Sequence, residues 1–394
     1  MEIPAKIVYI DPDVHARPPC KRRLERVLPH VKCGDVRDLG PGDMQRVLDI
    51  GKRRHGKDDF GDDAALVFTT FDKSRLSWFY HWRDEAGAHG GHCQPALELN
   101  IVDGCMFRCA YCGFGRYIVF YLDIERMIGG LDGVFMQHPE QRLYKFSNMT
   151  DLPPFEPDLD LVRPMVERFA AESDRYLMLF TKSDNVGFLS GIKHRGRTII
   201  SWSITCDTAS RLADKRAATM EQRISAMEKM QQAGYPVRAR LSPIIPLANW
   251  RDEYTELFEK LFARVKPDLV TLELLGWMTV DDLLAIFPSS LLDAEALRQA
   301  QAAREELAGV RWGPFTQRTH DEIYSFCIDA VRRLSPQTPV SVCHGTAATW
   351  KALGGKMRMT PEHYICNCGP LSAPGATLYE EWNRPGAPKY SGRK

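Results

Sequence analysis

The 394-residue sequence lacks the features that mark several classes of protein. No uninterrupted apolar run approaches the ~18 residues that cross a bilayer, which argues against a membrane protein. Acidic residues interrupt the opening MEIPAKIVYIDPDVH, where a secretory signal would have its apolar core. The formal net charge is only +1, so the composition indicates neither a membrane-surface protein nor one that coats nucleic acid. We therefore expect a globular cytoplasmic protein.

Cysteine, by contrast, is plentiful, with eleven in the chain. In a reducing compartment, clustered thiols are more often metal ligands than disulfides. Cys105, Cys109 and Cys112 lie in DGCMFRCAYCGFG with the spacing Cys-x3-Cys-x2-Cys. A disulfide would leave one of these three thiols unpaired. A tetrahedral zinc site normally has four protein ligands, and only three are present here. An iron–sulfur cubane held by three thiolates keeps one iron open to a chelating ligand, so the pattern favours iron over these two alternatives.

Strand and helix patterns alternate after residue 95. The strand candidates are short, apolar and rich in β-branched residues, and they cover 97–102, 143–148, 176–182, 198–204, 237–244 and 269–276. The helix candidates cover 121–138, 161–174, 219–234 and 250–265. Six strand–helix steps predict a parallel sheet with right-handed crossovers, and a closed barrel needs eight. The predicted fold class is therefore α/β, an open partial (β/α)6 barrel, with the cysteine cluster at the carboxyl end of its first strand, where ligands gather.

The regions on either side of the barrel have a different character. We predict an N-terminal α/β extension over 1–95, the partial barrel over 96–280, and a helical, loop-rich C-terminal extension over 281–394. KRRLERVLPHVK and GKRRHGK make the first sixty residues locally basic. A solvated helix face is the simpler interpretation of this bias, and a phosphate-contacting patch is the alternative.

The cysteine spacing, its place after the first strand and Tyr111 just before Cys112 together resemble the radical S-adenosylmethionine (SAM) enzymes. The resemblance implies that the three cysteines hold a [4Fe-4S] cluster whose open iron binds the methionine moiety of SAM. It implies that one electron from the cluster cleaves SAM to a 5′-deoxyadenosyl radical, which abstracts hydrogen from a substrate. It also implies an electron donor such as flavodoxin or ferredoxin.

From about residue 5 to 280 the sequence is similar to the spore photoproduct lyase branch of these enzymes. The motifs that carry this similarity are KIVYIDPDV, TKSDNV, SWSI, RISAMEKMQQAGYPVRARLSPIIPLANWRDEY and TLELL. The branch implies lyase or rearrangement chemistry on a modified nucleobase or nucleoside, with DNA as one form of the substrate. A base within duplex DNA would have to be flipped out, at a cost of a few kcal/mol. The alternatives are a radical SAM enzyme that acts on a small metabolite or amino acid, and a non-catalytic metal-binding module.

The resemblance also assigns cofactor contacts. It implies that Lys182 and Ser203, at the ends of the third and fourth strands, contact the amino-carboxylate of SAM. An ammonium group and a hydroxyl group are suitable partners for a carboxylate. Ser242 matches a position near the adenine, and Thr150 and Asp151 follow the second strand and face the site.

Two positions depart from the branch. The branch returns a hydrogen atom from a cysteine after the second strand, but this sequence has KFSNMTD there, with Asn148 or Met149 at the matching position. Gly113 replaces the aromatic residue expected after the third cluster cysteine. Both changes argue against repair of a thymine pair. Cys206, at the end of the fourth strand, is a candidate replacement donor, and we group it with Asn148 and Tyr111 as candidate catalytic residues.

The C-terminal region has its own thiols. Cys343 in SVCHG, with Cys366 and Cys368 in YICNCGP, predicts a second metal site, either an auxiliary iron–sulfur cluster or zinc. The candidates for a fourth ligand are His344, His363 and Cys327. Alternatively, one of these thiols is the hydrogen donor that position 148 lacks. Glu273 on the sixth strand is a further candidate contact of the cofactor, because a buried carboxylate needs a partner.

Overall fold

The structure is a computed structural model that describes residues 2–51, 64–71, 76–79, 91–92, 94, 96–114, 117–310, 313–361 and 364–375. The chain divides into two compact units. Unit 1 comprises Met1–Trp78, Leu97–Thr198 and Asp214–Ala218, and unit 2 comprises Phe79–Ala96, Ile199–Ala213 and Thr219–Lys394. One unit boundary lies between Ala96 and Leu97, close to the predicted boundary at residue 95, and residue 280 lies inside unit 2. The division into three regions stays a prediction.

Short strands recur along the described part of the chain. In chain order they are β1 Ile3–Ile10, β2 Val31–Lys32, β3 Val36–Asp38, β4 Ala64–Thr69, β5 Leu76–Phe79, β6 Gly91–His92, β7 Ala96–Leu99, β8 Val102–Asp103, β9 Tyr117–Tyr121, β10 Leu143–Phe146, β11 Tyr176–Thr181, β12 Thr198–Ile204, β13 Val237–Ile244, β14 Val270–Leu274, β15 Val340–Val342 and β16 Gly345–Thr346. All six strands that the sequence predicts for the barrel are present, as β7 and β10 to β14.

The helices fill most of the intervals between strands. They are α1 Pro12–Ala16, α2 Pro18–Val27, α3 Asp43–Gly51, α4 Ile124–Gln137, α5 Val162–Ala170, α6 Asp207–Ala213, α7 Met220–Gln232, α8 Trp250–Arg264, α9 Val280–Ile286, α10 Ala294–Ala302, α11 Arg304–Leu307, α12 Gln317–Leu334 and α13 Ala347–Met357. The four predicted barrel helices are confirmed as α4, α5, α7 and α8, with ends shifted by a few residues. None of the helices in the described ranges is long and apolar enough to span a membrane.

Helix α7 shows how local sequence sets these elements. Its capping box is complete, because the Thr219 hydroxyl accepts from the Gln222 amide at 3.2 Å and the Gln222 side chain accepts from the Thr219 amide at 2.8 Å. Its methionine and isoleucine stripe is buried, as the spacing predicts. Each such side chain contributes roughly 1.5–3 kcal/mol when it is fully buried.

Unit 1 contains two sets of paired strands. In one, the order is β2-β1-β4-β9-β8, with β3 also paired to β1. In the other, β7, β10 and β11 are parallel neighbours, and Lys145 of β10 lies opposite Glu98 of β7. The Lys145 ammonium donates to the Glu98 carboxylate at 2.6 Å, and both side chains are only 2% exposed. This pair neutralises two charges that are removed from water.

Unit 2 contains the parallel order β12-β13-β14-β15. The register places Ser203 of β12 opposite Arg240 of β13. Side chains two residues apart on a strand share a face, so Arg240 and Ser242 project from the same side of the sheet. In the neighbouring strand, Leu272 of β14 lies opposite Val342 of β15, which brings the residues that follow them to one edge.

Candidate functional site

The segment that contains Cys105, Cys109 and Cys112, called the cysteine segment below, connects two paired strands of unit 1. Strand β8 precedes it, strand β9 follows it, and the two are antiparallel, with Val102 opposite Phe120. The cysteine segment is closed at its base by the Cys105 amide, which donates to the Phe114 carbonyl at 2.6 Å. A turn within it is held by the Cys112 amide, which donates to the Cys109 carbonyl at 2.9 Å. The three thiols are therefore mounted on a segment that is anchored at both ends.

Gly104 makes the entry to this segment possible. It has φ +85°, a conformation that favours glycine. A Cβ atom at this position would lie 1.8 Å from the Tyr117 carbonyl oxygen, so a side chain would require the backbone to move. The glycine before the first cysteine is therefore a requirement of the close approach between the two strands.

The thiols lie in surroundings that suit a bound cation. Burial raises the pKa of the Cys105 thiol well above its ordinary value, and the negative charges of Asp151, Cys109 and Cys112 raise it further. Burial raises the pKa of Cys109 to about 12, although the nearby Lys182 ammonium lowers it. Three coupled thiolates need positive charge beside them, which iron would supply as it displaces their protons. The donor set, three thiols that interact electrostatically, fits an iron–sulfur cluster.

Tyr111 links this segment to the end of strand β11. Its hydroxyl donates to Asp214 Oδ1 at 2.6 Å and accepts from the Lys182 ammonium. Lys182 also donates to Asp214 Oδ2 at 2.8 Å, with the Lys182 side chain 14% exposed and the Asp214 side chain fully buried. The structure thus brings together two residues that the sequence singles out, Tyr111 and Lys182, and adds Asp214. An ammonium group has three donors, and these two contacts use two of them.

Asp151 joins the ends of strands β10 and β11. Its carboxylate accepts from the Thr181 hydroxyl at 2.7 Å and from the Lys182 amide at 2.6 Å. Asp151 therefore fixes the backbone of Lys182, whose side chain is held by Tyr111 and Asp214. Beside it, Thr150 is 9% exposed, and its hydroxyl has no hydrogen-bond partner among the described residues. A buried hydroxyl without a protein partner is suited to contact a ligand.

Unit 2 has a second polar cluster, centred on Glu273. One oxygen of this carboxylate, Oε2, accepts from the Arg240 guanidinium and from the Ser242 hydroxyl, the latter at 2.6 Å. The other oxygen, Oε1, lies 3.6 Å from His344 Nδ1. These partners hold the pKa of Glu273 well below its usual range although burial opposes them. A buried carboxylate requires polar or charged partners, and Glu273 has them in Arg240, Ser242 and His344.

Cys343 and His344 complete this cluster. The Cys343 sulfur lies 3.4 Å from His344 Nδ1, and the ligand atoms of Glu273, Cys343 and His344 all lie within 4.8 Å of one another. His344 has a left-handed backbone conformation, with φ +56°. Trp277, whose ring packs against the His344 ring, is also left-handed, with φ +65°. Non-glycine residues in this region are strained, and such strain clusters at functional sites.

The other predicted ligands of the second site are held differently. The Cys366 thiol donates to the Gln94 side chain at 3.5 Å. Against the effect of burial, Glu273 and, to a smaller extent, Cys343 and Cys368 raise the pKa of the Arg240 guanidinium. Among the described residues, the group at single-metal distance comprises Glu273, Cys343 and His344, and neither Cys366 nor Cys368 belongs to it. Cys327 is fully buried in α12, and His363 lies outside the described residues.

The candidate donors occupy distinct places. Cys206 is fully buried, and its thiol lies against Glu253 and Tyr254 of helix α8. This placement does not favour Cys206 as the replacement hydrogen donor. Asn148 follows β10 and is partly exposed. Its side chain is an amide, so it does not supply the hydrogen atom that a thiol at this position would donate. Ser203 is 9% exposed on β12.

The basic segment near the N-terminus is largely neutralised within unit 1. Arg23 of α2 is buried and binds Glu125 at 2.7 Å. The other basic side chains of KRRLERVLPHVK that have acidic partners within 4 Å are Lys21, Arg26, His30 and Lys32. These pairs favour the simpler interpretation of KRRLERVLPHVK as a solvated, ion-paired face. GKRRHGK falls almost entirely outside the described residues.

Two residues of these polar clusters, Asp214 and Arg240, were not predicted from the sequence. Asp214 gives no local signal, because it is 32 positions from Lys182 and lies in a connection after α6. Arg240 does give one, because VRARLSPI has arginines at alternate positions of a strand predicted to be buried on both faces. Arg238 supports this interpretation, since its buried guanidinium donates to the Asn367 and Ser372 carbonyls. A buried arginine in a strand requires a partner, and for Arg240 that partner is Glu273.

Comparison with known proteins agrees with this geometry. A family model described as "Spore photoproduct lyase" matches residues 92–279. Over these residues the chain is similar to spore photoproduct lyases. The curated spore photoproduct lyase of Bacillus subtilis (strain 168) is 29% identical over 194 residues, which cover 46% of this chain and 57% of the relative. That of Clostridium acetobutylicum is 21% identical over 213 residues, with 51% and 63% covered. The chain thus spans less than two thirds of these relatives.

Solved structures of spore photoproduct lyase share the fold. One, a variant with bound AdoMet and dinucleoside spore photoproduct, superposes with a TM-score of 0.64 at 17% identity and covers 87% of this chain and 99% of that chain. Another, described as complexed with dinucleoside spore photoproduct, gives 0.63 and covers 86% and 98%. This likeness confirms the α/β fold with a curled parallel half-barrel. The family match includes Cys105, Lys182 and Glu273, and it ends before Cys343.

Proposed function

We propose that this chain is a radical SAM enzyme that acts on a modified nucleobase or nucleoside. The observation that carries the proposal is the anchored segment with Cys105, Cys109 and Cys112, joined through Tyr111 to Lys182 and Asp214. When bound, a [4Fe-4S] cluster and SAM would supply the electron and the 5′-deoxyadenosyl group that begin the reaction. Three protein thiolates would leave one iron open for SAM.

The residues of the chain would position the cofactor. Asp214 and Tyr111 hold the Lys182 ammonium beside the cysteine segment, and its third donor would bind the carboxylate of SAM. Thr150, buried and without a described partner, is a further contact. Ser203 and Ser242 stay the contacts of the amino-carboxylate and the adenine that the family resemblance implies. Electrons would come from a small donor protein such as flavodoxin or ferredoxin.

The named relatives support the substrate class. They are spore photoproduct lyases, and one solved structure with the same fold holds a dinucleoside spore photoproduct. The residue at position 148 is Asn, so the step after hydrogen abstraction would use another donor or follow a rearrangement. A small metabolite is the second candidate substrate, favoured by the net charge of +1 and by the ion pairing of the basic N-terminal segment.

A binding experiment separates the two substrates. Anaerobic protein reconstituted with iron and sulfide is titrated with fluorescent duplex DNA at several salt concentrations. A DNA substrate predicts that the logarithm of the binding constant falls linearly with the logarithm of the salt concentration, with a loss of roughly tenfold or more in affinity between about 50 and about 200 mM for a few phosphate contacts. The same duplex competed with a free dinucleoside provides the control. Formation of 5′-deoxyadenosine without salt-sensitive DNA binding would contradict the DNA form of the proposal.

A further inference from the structure

The Glu273 cluster is built by backbone register as well as by side chains. Strands β14 and β15 are parallel with Leu272 opposite Val342, and the Cys343 amide donates to the Leu272 carbonyl at 2.8 Å. The next residues, Glu273 and Cys343, therefore stand side by side. His344 follows directly. Two neighbouring strand ends thus deliver a carboxylate, a thiol and an imidazole to one point.

The distances match a single small cation. With Zn–S of about 2.3 Å and Zn–N of about 2.0–2.1 Å, two ligands of a tetrahedral zinc lie about 3.4–3.6 Å apart. Cys343 Sγ lies 3.4 Å and Glu273 Oε1 lies 3.6 Å from His344 Nδ1. Thiolate, imidazole and carboxylate are all ligands that zinc accepts.

The carboxylate is held in position by the groups behind it. Arg240 and Ser242 bind its Oε2 atom and leave Oε1 directed toward His344. Hydrogen bonds of this kind orient metal ligands and are worth about 10–100-fold in affinity. The left-handed backbone of His344 is strained, and the binding of an ion would compensate for the energy of this strain.

We propose that Glu273, Cys343 and His344 bind one zinc ion whose fourth position is open. Three protein ligands with an open position are typical of zinc that binds water or a polar substrate group. The site keeps Cys343 and the predicted fourth-ligand candidate His344, adds Glu273, and leaves out Cys366 and Cys368. It does not rest on the proposed radical chemistry, and its test measures bound metal and not enzyme activity.

The test measures zinc and iron per chain in the full-length protein purified without chelators. It uses a background in which Cys105, Cys109 and Cys112 are all replaced by Ala, so that cluster iron does not interfere. We expect about one zinc per chain, as the site has one set of ligands. Glu273→Gln and Cys343→Ser should each lose it. Ser242→Ala should weaken zinc affinity about 10–100-fold, because it removes a hydrogen bond to the ligand carboxylate.

Cys366→Ser is the matched control and should keep its zinc. Zinc that persists in Cys343→Ser, or zinc that is lost in Cys366→Ser, would overturn the ligand assignment. If Cys343→Ser does not fold, X-ray absorption at the zinc edge of the background protein decides the matter. One sulfur ligand with nitrogen and oxygen neighbours supports the site. Two or more sulfurs, bound iron in the background protein, or no zinc would contradict it.

Discussion

Replacing Cys105 with Ala should remove nearly all of the iron that the reconstituted chain binds and abolish cleavage of SAM. A cubane bound by three thiolates has no fourth protein ligand to compensate for a loss. Burial raises the pKa of the remaining Cys109 thiol to about 12, so this thiol stays protonated without the cation. Iron should fall from about four per chain to near zero, as measured by colorimetric iron and sulfide assays.

Cys33→Ala is the matched control, because it removes a thiol from the same unit. The Cys33 sulfur donates to the Asp35 carbonyl at 3.2 Å, in a turn outside the cysteine segment. This variant should keep its iron and its release of 5′-deoxyadenosine. If Cys105→Ala kept both, the three cysteines would not be the cluster ligands.

Replacing Lys182 with Met should have two separable effects. It leaves the fully buried Asp214 carboxylate without its cation, and breaking a buried pair costs about 3–5 kcal/mol of unfolding free energy. It should also weaken SAM binding by roughly 10–100-fold, since a hydrogen bond to a charged group contributes about 1.5–3 kcal/mol. Chemical denaturation and isothermal titration with SAM measure the two effects.

The double variant Lys182→Met with Asp214→Leu separates a structural role from a cofactor role. It removes both charges, so much of the lost stability should return. SAM binding should stay weak if Lys182 contacts the cofactor. Recovery of SAM affinity in the double variant would show that Lys182 only neutralises Asp214.

The strand pattern was predictable because it depends on local composition. Each barrel strand is a short apolar run, and each has its counterpart in the structure, although some ends differ by several residues. Strand β9 was missed because YIVFY directly precedes helix α4 and reads as part of the same apolar stretch. A continuous apolar run does not distinguish a buried strand from the start of a buried helix.

The cysteine ligands were predictable because their spacing is local, whereas their partners are not. Asp214 meets Lys182 only through the folded chain, and no periodicity encodes that meeting. The second cluster shows the same limit. Cys343 was singled out as a thiol, but its proximity to Glu273 depends on the pairing of β14 with β15, in which Val270 lies opposite Val340. The pairing of strands that are distant in the sequence decides which polar side chains lie together. The sequence therefore identified Glu273, Cys343 and His344 one by one, but it did not show that they form one cluster.

The central claim is that three cysteines hold a cluster with one iron open to SAM. The most direct test is electron paramagnetic resonance of the anaerobically reduced, reconstituted protein, recorded before and after SAM is added. If the open iron binds SAM, the signal of the reduced cluster should change its g values, and 5′-deoxyadenosine should accumulate in the same sample. A cluster signal that is unchanged by saturating SAM, with no 5′-deoxyadenosine, would contradict the account.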